Sequence, residues 1–406
     1  MRKVIVFSMI TLLLISFTGC KKSFLPESRE IDDLQLVQVI GIDMLPNGSH
    51  SFLITIASKN LAEESSQVSS GSTDEESTGS KGKKALVLSS EGDTIFDAVR
   101  KLQTHSDKTL FWGHSYYYLI GEEAARDNIS KCIDFFTRDH ELRVESKIYI
   151  IKGSTAKDLI EQFNQSSYYI LDKLDSLGKN IKLLSKSEEM KIHELMRFLD
   201  IHHASARIPC IYLVDRDKER EKKIKDIDTC GYAIFSDLKL VGFIDTDISR
   251  GLNLITNTVN SSIVAVKDMT GQDVSLEIIN SKTEVIPFFN GDNLERILLK
   301  TKVVSNLGEI QSQIDFANES YISYIESRQS EVLKNEMEEV LKKVLEFRSD
   351  CLEICDRIRL KRPLKWRKIE DKWMQIFPNI KFDIQVESKV KGTYELKEPS
   401  GYKWRE

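Results

Sequence analysis

The sequence predicts an α+β fold: three domains of mixed sheets and helices, with a long amphipathic helix covering a sheet in the last. Three observations carry this. Over about the first 200 residues, short runs of β-branched and apolar residues alternate with stretches of helical period. Beyond residue 205, apolar runs follow one another at hairpin spacing, with turn residues between them. Near the end, about Ile322 to Ile358 is one amphipathic stretch that precedes a last strand. At 406 residues the chain accommodates two or three ordinary cores. With 41% hydrophobic and 30% charged residues and a net charge of −5, neither wholesale disorder nor a strongly basic surface fits, so no nucleic-acid partner is expected.

Taken in order, Met1, Arg2 and Lys3 make a positive start, and Val4 to Phe17 carries no charge. As a helix that run reaches roughly 21 Å, short of the ~30 Å hydrocarbon core, so residues 1–19 read as a signal peptide and not as a span. It closes on Phe17-Thr18-Gly19-Cys20, which resembles a bacterial lipobox with Phe17 in place of the usual Leu. That motif implies an S-diacylglyceryl group on Cys20, cleavage between Gly19 and Cys20, and a new terminus open to N-acylation. Two acyl chains on one thiol anchor stably to a bilayer without a transmembrane helix. Residues 20–30 then form a lipidated polar stalk containing Pro26.

An α/β-type N-terminal domain is expected over 31–204. Leu34 to Ile40 and Phe52 to Ile56 read as strands joined through Leu45-Pro-Asn-Gly48, a hairpin signal. From about 62 to 84 the chain turns Ser- and Glu-rich, a composition that cannot offset its ordering entropy, so a disordered loop is expected there. Ala85 to Leu88 resumes a strand, and Thr94-x-x-Asp97 resembles a capping box that opens a helix with Ile95, Val99 and Leu102 on one face. Strands at Tyr116 to Ile120 and Leu142 to Ile151 bracket helical stretches from Glu122 to Arg126 and Ile129 to Phe136. A helical region from Thr155 to about Leu199 is predicted to break near Gly178.

A β-rich middle domain is expected over 205–291, with strands at Arg207–Val214, Tyr232–Phe235, Leu240–Ile244, Ile263–Val266, Val274–Ile279 and Thr283–Pro287. The C-terminal α+β domain, 292–406, opens with a strand at Ile297–Val304 and closes with one at Ile380–Val386. Between them the long helix carries Ile322, Ile325, Val332, Met337, Val340, Leu341 and Val344 on one side, read as the cover of a sheet.

An ordered set of short segments then resembles one family. These are Gly19-Cys20; Arg29 to Leu34 leading to Ile40-Gly-Ile-Asp43; Ser90-Glu-Gly-Asp-Thr94; Leu110-Phe-Trp-Gly-His114; Asp134 to Arg138; and Glu141-Leu-Arg143. Gly231 to Phe235, Leu240-Val-Gly242, Gly251-Leu252, Asn306 to Ile310, Lys365-Trp366 and Trp373 complete it. The chain resembles the Ger(x)C family, the lipoprotein C subunits of spore nutrient germinant receptors. Two stretches depart from the family: Lys21-Lys22-Ser23 stands where a Trp often follows the lipidated Cys, and Arg357 to Arg362 is basic where many relatives have an Asp-Pro-Phe-Gly-like turn. The resemblance implies a non-catalytic, three-domain α+β subunit with no cofactor, anchored through Cys20 on the outer face of the inner spore membrane. Its implied partners are membrane-embedded A and B receptor subunits, and its implied role is receptor assembly and nutrient-triggered germination.

The residues offer no competing chemistry. The seven His, at 50, 105, 114, 140, 193, 202 and 203, show no metal-ligand spacing, and His202-His203 would point to different faces. His114 reads as a packed histidine and Asp245-Thr-Asp247 as a solvated turn. No His-Glu-x-x-His, Gly-x-Ser-x-Gly, P-loop or Gly-x-Gly-x-x-Gly is present, so neither a catalytic residue nor a metal ligand is assigned, and no ligand-binding residue is identified. The six Cys are too scattered for a disulfide scaffold. With Cys20 lipidated the other five are odd in number, and Cys351 and Cys355 read as buried or half-buried thiols. A solute-binding lipoprotein of a transporter is the alternative, and it predicts two similar lobes around a cleft. An anchored hydrolase would need a motif that is absent.

Overall fold

The computed structural model describes residues 33–45, 51–58, 86–138, 143–165, 169–200, 204–215, 225–312 and 319–393. The stalk, Gly19, Cys20 and the Ser/Glu-rich loop therefore lie outside the described residues.

The first sheet contains β1 (Leu34–Met44), β2 (Phe52–Ser58), β3 (Leu86–Gly92), β4 (Thr109–Phe111) and β5 (Tyr117–Gly121). It continues with β6 (Lys147–Ile151), β7 (Arg207–Asp215), β8 (Lys225–Ser236) and β9 (Lys239–Ile244). Its order is β3-β2-β1-β5-β6-β7-β8-β9, with β4 lying parallel beside the start of β1. The four central strands β1, β5, β6 and β7 are parallel, and antiparallel strands extend the sheet on both sides. A central parallel strand is covered on both faces, which is why Tyr117-Tyr-Leu-Ile-Gly121 is buried throughout and reads as an apolar run without alternation.

Helices α1 (Ile95–Thr104), α2 (Glu122–Asp127), α3 (Ile129–Arg138) and α6 (Ile192–Asp200) cover one face. Helices α4 (Ala156–Gln165) and α5 (Ile170–Leu184) cover the other. The predicted cap on α1 is present: Thr94 Oγ1 accepts from the Asp97 N–H at 3.1 Å, and Ile95, Val99 and Leu102 are buried.

The second sheet runs β10 (Ser262–Lys267), β11 (Asp273–Asn290), β12 (Asn293–Ile310), β13 (Lys381–Thr393), the first three antiparallel and the last parallel to β12. A parallel return needs a crossover, supplied by α8 (Glu319–Glu346), α9 (Ile354–Lys361), α10 (Pro363–Ile369) and α11 (Trp373–Ile376). As expected, α8 lays Ile325, Met337, Val340, Leu341 and Val344 on the sheet. Before the sheet, α7 (Ser249–Thr256) packs on α8 where Gly251 meets the chain at Glu336. A Cβ on Gly251 would lie 2.6 Å from that residue's carbonyl carbon.

The α+β class holds, but the expected middle unit has no sheet of its own. Strands β7 to β9 extend the first sheet, whereas β10 and β11 belong to the second, and the expected boundary at 291/292 falls on the two-residue turn between β11 and β12. The polar Asn280-Ser281 suggests a break between two strands, yet β11 passes through it with a bulge between Ile278 and Asn280. The helical region also breaks elsewhere. Gly178 lies inside α5, where a Cβ would meet the Glu189 carboxylate at 2.3 Å, so the glycine permits close packing and the chain turns at Ser185 instead. The long helix stops at Glu346. Arg348 adopts positive φ and the Ser349 N–H donates to the Val344 carbonyl at 3.0 Å, a left-handed stop that Gly usually makes and periodicity does not reveal.

Candidate functional site

In open sheets with parallel strands, ligands commonly bind beyond the strands' C-terminal ends, where helix N-termini offer free N–H groups. In this chain that place is filled by its own carboxylates. Asp43, at the end of β1, accepts from the Ala156 and Lys157 N–H groups at the start of α4, at 2.8 and 2.9 Å. Burial outweighs those two donors and raises its pKa to about 6. Gly121 makes room for it, since a Cβ there would lie 2.2 Å from Asp43 Oδ1. Nearby, Gly153 N–H donates to Glu122 at 3.1 Å, and Lys152 Nζ donates to Asp245 at 2.8 Å.

The other concentration of buried polar groups joins the two sheets. Arg207, at the start of β7, is 5% exposed. Its Nη1 donates to the Cys351 carbonyl and to Glu353 Oε1, both at 2.9 Å, and Glu188 Oε1 lies 3.3 Å from Nη2. Burial acts to raise Glu353, but the Arg207 charge prevails and holds it below the usual carboxylate range. Arg197 also reaches Glu353, at 3.3 Å. One turn away, Asp350 is fully buried and accepts from Ile354 N–H at 2.9 Å, Cys355 N–H at 2.8 Å and Trp373 Nε1–H at 3.0 Å. Burial again wins, lifting its pKa to about 6. Ser349 Oγ donates to the Phe235 carbonyl of β8 at 2.5 Å. Beside this junction a cavity of about 300 Å³ is lined by Phe198, Leu199, Ala204, Ser205, Asp237, Leu238 and Met374.

This arrangement ties elements together. Burial pushes the Cys132 and Cys351 thiols up to about 12 and raises Cys355 as well, so none is a ready thiolate. Among the described residues no three His, Cys, Asp or Glu side chains converge as a metal site. His114 packs beside Phe111 and Tyr116, with ring centroids 5.8 and 6.5 Å away. Asp245 is more than a solvated turn, because it bridges Lys152 and Lys343 from the two halves of the molecule. Cys351 and Cys355 are buried thiols, while Cys210 and Cys230 form a disulfide between β7 and β8 that spacing alone does not indicate. Sequence reasoning also missed Asp350, and it named Arg207 only as a strand start and Asp43 only within the Ile40-Gly-Ile-Asp43 segment, without their buried roles. The only signal was a charge adjoining an apolar run. Among the described residues no helix is long and apolar enough to cross a membrane. Cys20, with His50, His140, His202 and His203, lies outside them.

Residues 27–213 match the family described as Spore germination protein N-terminal domain, and residues 230–394 match Spore germination B3/GerAC like, C-terminal. The chain is similar to Spore germination protein B3 of Bacillus subtilis (strain 168), with 25% identity over 396 residues, 95% of this chain and 96% of that protein. It is similar also to Spore germination protein KC of the same organism, with 22% identity over 413 residues, 97% and 96% of the two chains. The crystal structure of the GerBC protein resembles it with a TM-score of 0.51 at 18% identity, over 86% of this chain and 96% of that one, a likeness of fold.

Proposed function

Because the chain belongs to the Ger(x)C family of spore germination proteins, we propose that it is the lipid-anchored, non-catalytic C subunit of a nutrient germinant receptor. It would be held on the outer face of the inner spore membrane through Cys20, working with membrane-embedded A and B subunits in receptor assembly and nutrient-triggered germination. The observation that carries this reading is the pair of germination-family matches over 27–213 and 230–394, which begin seven residues after a lipobox cysteine. The thirteen residue-to-residue steps from Cys20 to Asp33 span at most about 45 Å, so an anchored body stays close to the bilayer. The self-filled strand ends and the buried thiols favour a part that assembles over one that turns over a substrate.

Deleting the gene tests this reading. Spores should lose the response to one set of nutrients and keep the response to a non-nutrient trigger, whereas a transport defect or altered wall fragments with intact nutrient germination would overturn it. Cys20→Ala should abolish lipid labelling of the chain and displace it from the membrane; labelling that persists at another residue would refute the lipobox assignment. A solute-binding lipoprotein gains nothing from the fold, because the two sheets are unlike in size and topology.

A further inference from the structure

The corner between α9 and α10 carries the most exposed large apolar side chains among the described residues. Leu360 and Leu364 are each 75% exposed and stand within Arg359-Leu-Lys-Arg-Pro-Leu364, six consecutive exposed residues. At about 100° per residue, Leu360 lies some 200° past buried Ile358, and Leu364 lies the same angle before buried Trp366, so both project away from the packed side. Single exposed leucines are common, but the surroundings of these two are not. From Asp356 to Lys372 there are eight Lys and Arg against three Asp and Glu, in a chain whose net charge is −5; Arg359 pairs with Asp356, and Lys365 and Lys368 share Asp292, while Arg362 and Arg367 stand exposed. Lys361 is paired with Glu284 on the open face of the second sheet at 2.6 Å, and Lys300 and Lys282 also act on that carboxylate, so cations outnumber it there.

We infer that this corner is a second membrane contact, with Leu360 and Leu364 entering the headgroup region of an anionic bilayer while Arg362 and Arg367 meet the lipid phosphates. Aliphatic tips among cations suit a lipid surface, where each Lys or Arg adds attraction and a short apolar insertion adds to it. A protein-binding hot spot would instead place exposed Trp or Tyr at its centre, and the corner's aromatic Trp366 is buried. The inference rests on the membrane setting proposed above, yet its chemistry does not involve Cys20.

The test uses the full chain carrying Cys20→Ala, so that no thioether lipid contributes, sedimented with vesicles of phosphatidylglycerol and phosphatidylcholine or of phosphatidylcholine alone. The apolar start of the chain is common to every variant and cancels. Binding to the anionic vesicles should exceed binding to the neutral ones and fall as salt is raised. R362Q/R367Q should weaken it ~30-fold, about fivefold per charge removed. L360S/L364S should weaken it roughly tenfold. All four positions are exposed, so circular dichroism should show an unchanged fold. Equal binding to both vesicle types, equal binding by parent and variants, or photocrosslinking from position 364 to a protein and not to lipid would overturn the inference. Such a failure leaves the Cys20 labelling result standing, and absence of lipid at Cys20 leaves the vesicle result standing.

Discussion

Asp350→Asn sets two effects of known sign against each other. The carboxylate is fully buried, and its pKa of about 6 lies roughly two units above the ordinary 3.8. That shift corresponds to about 3 kcal/mol by which ionisation weakens the fold at neutral pH. Between pH 3.8 and 6 the folded chain holds a proton that the unfolded chain has released, so this group's contribution is fully present below about 3.8 and is lost as pH rises through 6. Asn does not titrate and removes that penalty. In its better orientation the amide oxygen replaces the carboxylate oxygen that accepts from Cys355 N–H and Trp373 Nε1–H, and the amide nitrogen then faces the Ile354 N–H. The Ile354 N–H and the amide's own N–H groups are then left without an acceptor, at about 1–3 kcal/mol for each unsatisfied group. The variant should therefore stay within about 3 kcal/mol of the parent at pH 7. The parent gains about 1–2 kcal/mol from this group between pH 7 and pH 5, and the variant does not. Urea unfolding of the full chain at the two pH values, followed by Trp fluorescence, measures the difference. Asp43 titrates alike in both proteins and cancels. A variant with the parent's pH dependence would refute the assignment of a protonated Asp350 near pH 5.

Arg207→Met should lose about 3–5 kcal/mol of unfolding free energy, since it strands Glu353 and Glu188 at the junction, and adding Glu353→Gln should return part of that loss. Gly251→Ala should destabilise by about 1–3 kcal/mol, because its Cβ would press on the backbone at Glu336; an unchanged urea midpoint would show that α7 does not pack so closely on α8. Deleting Ser65 to Ser80 should leave the unfolding midpoint unchanged, and a Tm lowered by many degrees would reveal an ordered element in that segment.

What the sequence made legible was local. The α1 cap, the β1–β2 hairpin and the apolar side of α8 follow from side-chain chemistry and period, and the described residues reproduce each. What it hid was pairing. Nothing in Arg207 to Asp215 announces that the strand lies parallel to β6 as the last of the first sheet's parallel strands, because a strand's partners are chosen by long-range packing. That is why the sequence reads as if it held a separate middle unit. Glycines misled for a related reason. Gly178 looks like a helix breaker, but the space it leaves belongs to Glu189, a neighbour brought in by the fold. The junction charges were invisible because each is ordinary in sequence, and only burial beside one another makes them unusual.

The junction also bears on how the two sheets can move. Tyr232, Ile234 and Ile244 of the first sheet share one apolar cluster with Leu252, Val340 and Leu299. Gly242 admits the Phe347 ring, which would lie 2.4 Å from a Cβ there, so the end of α8 sits directly on β9. Hinge opening between the sheets would have to expose that cluster, free Arg207 from the Cys351 carbonyl and Glu353, and break the Asp245 bridge between Lys152 and Lys343. Stranding one buried charge alone costs several kcal/mol, more than a clamp that must open readily can tolerate. A body tied in this way suits a subunit that moves or holds as a unit between its contacts, and it opposes the alternating closure that a solute-capturing pair of lobes requires.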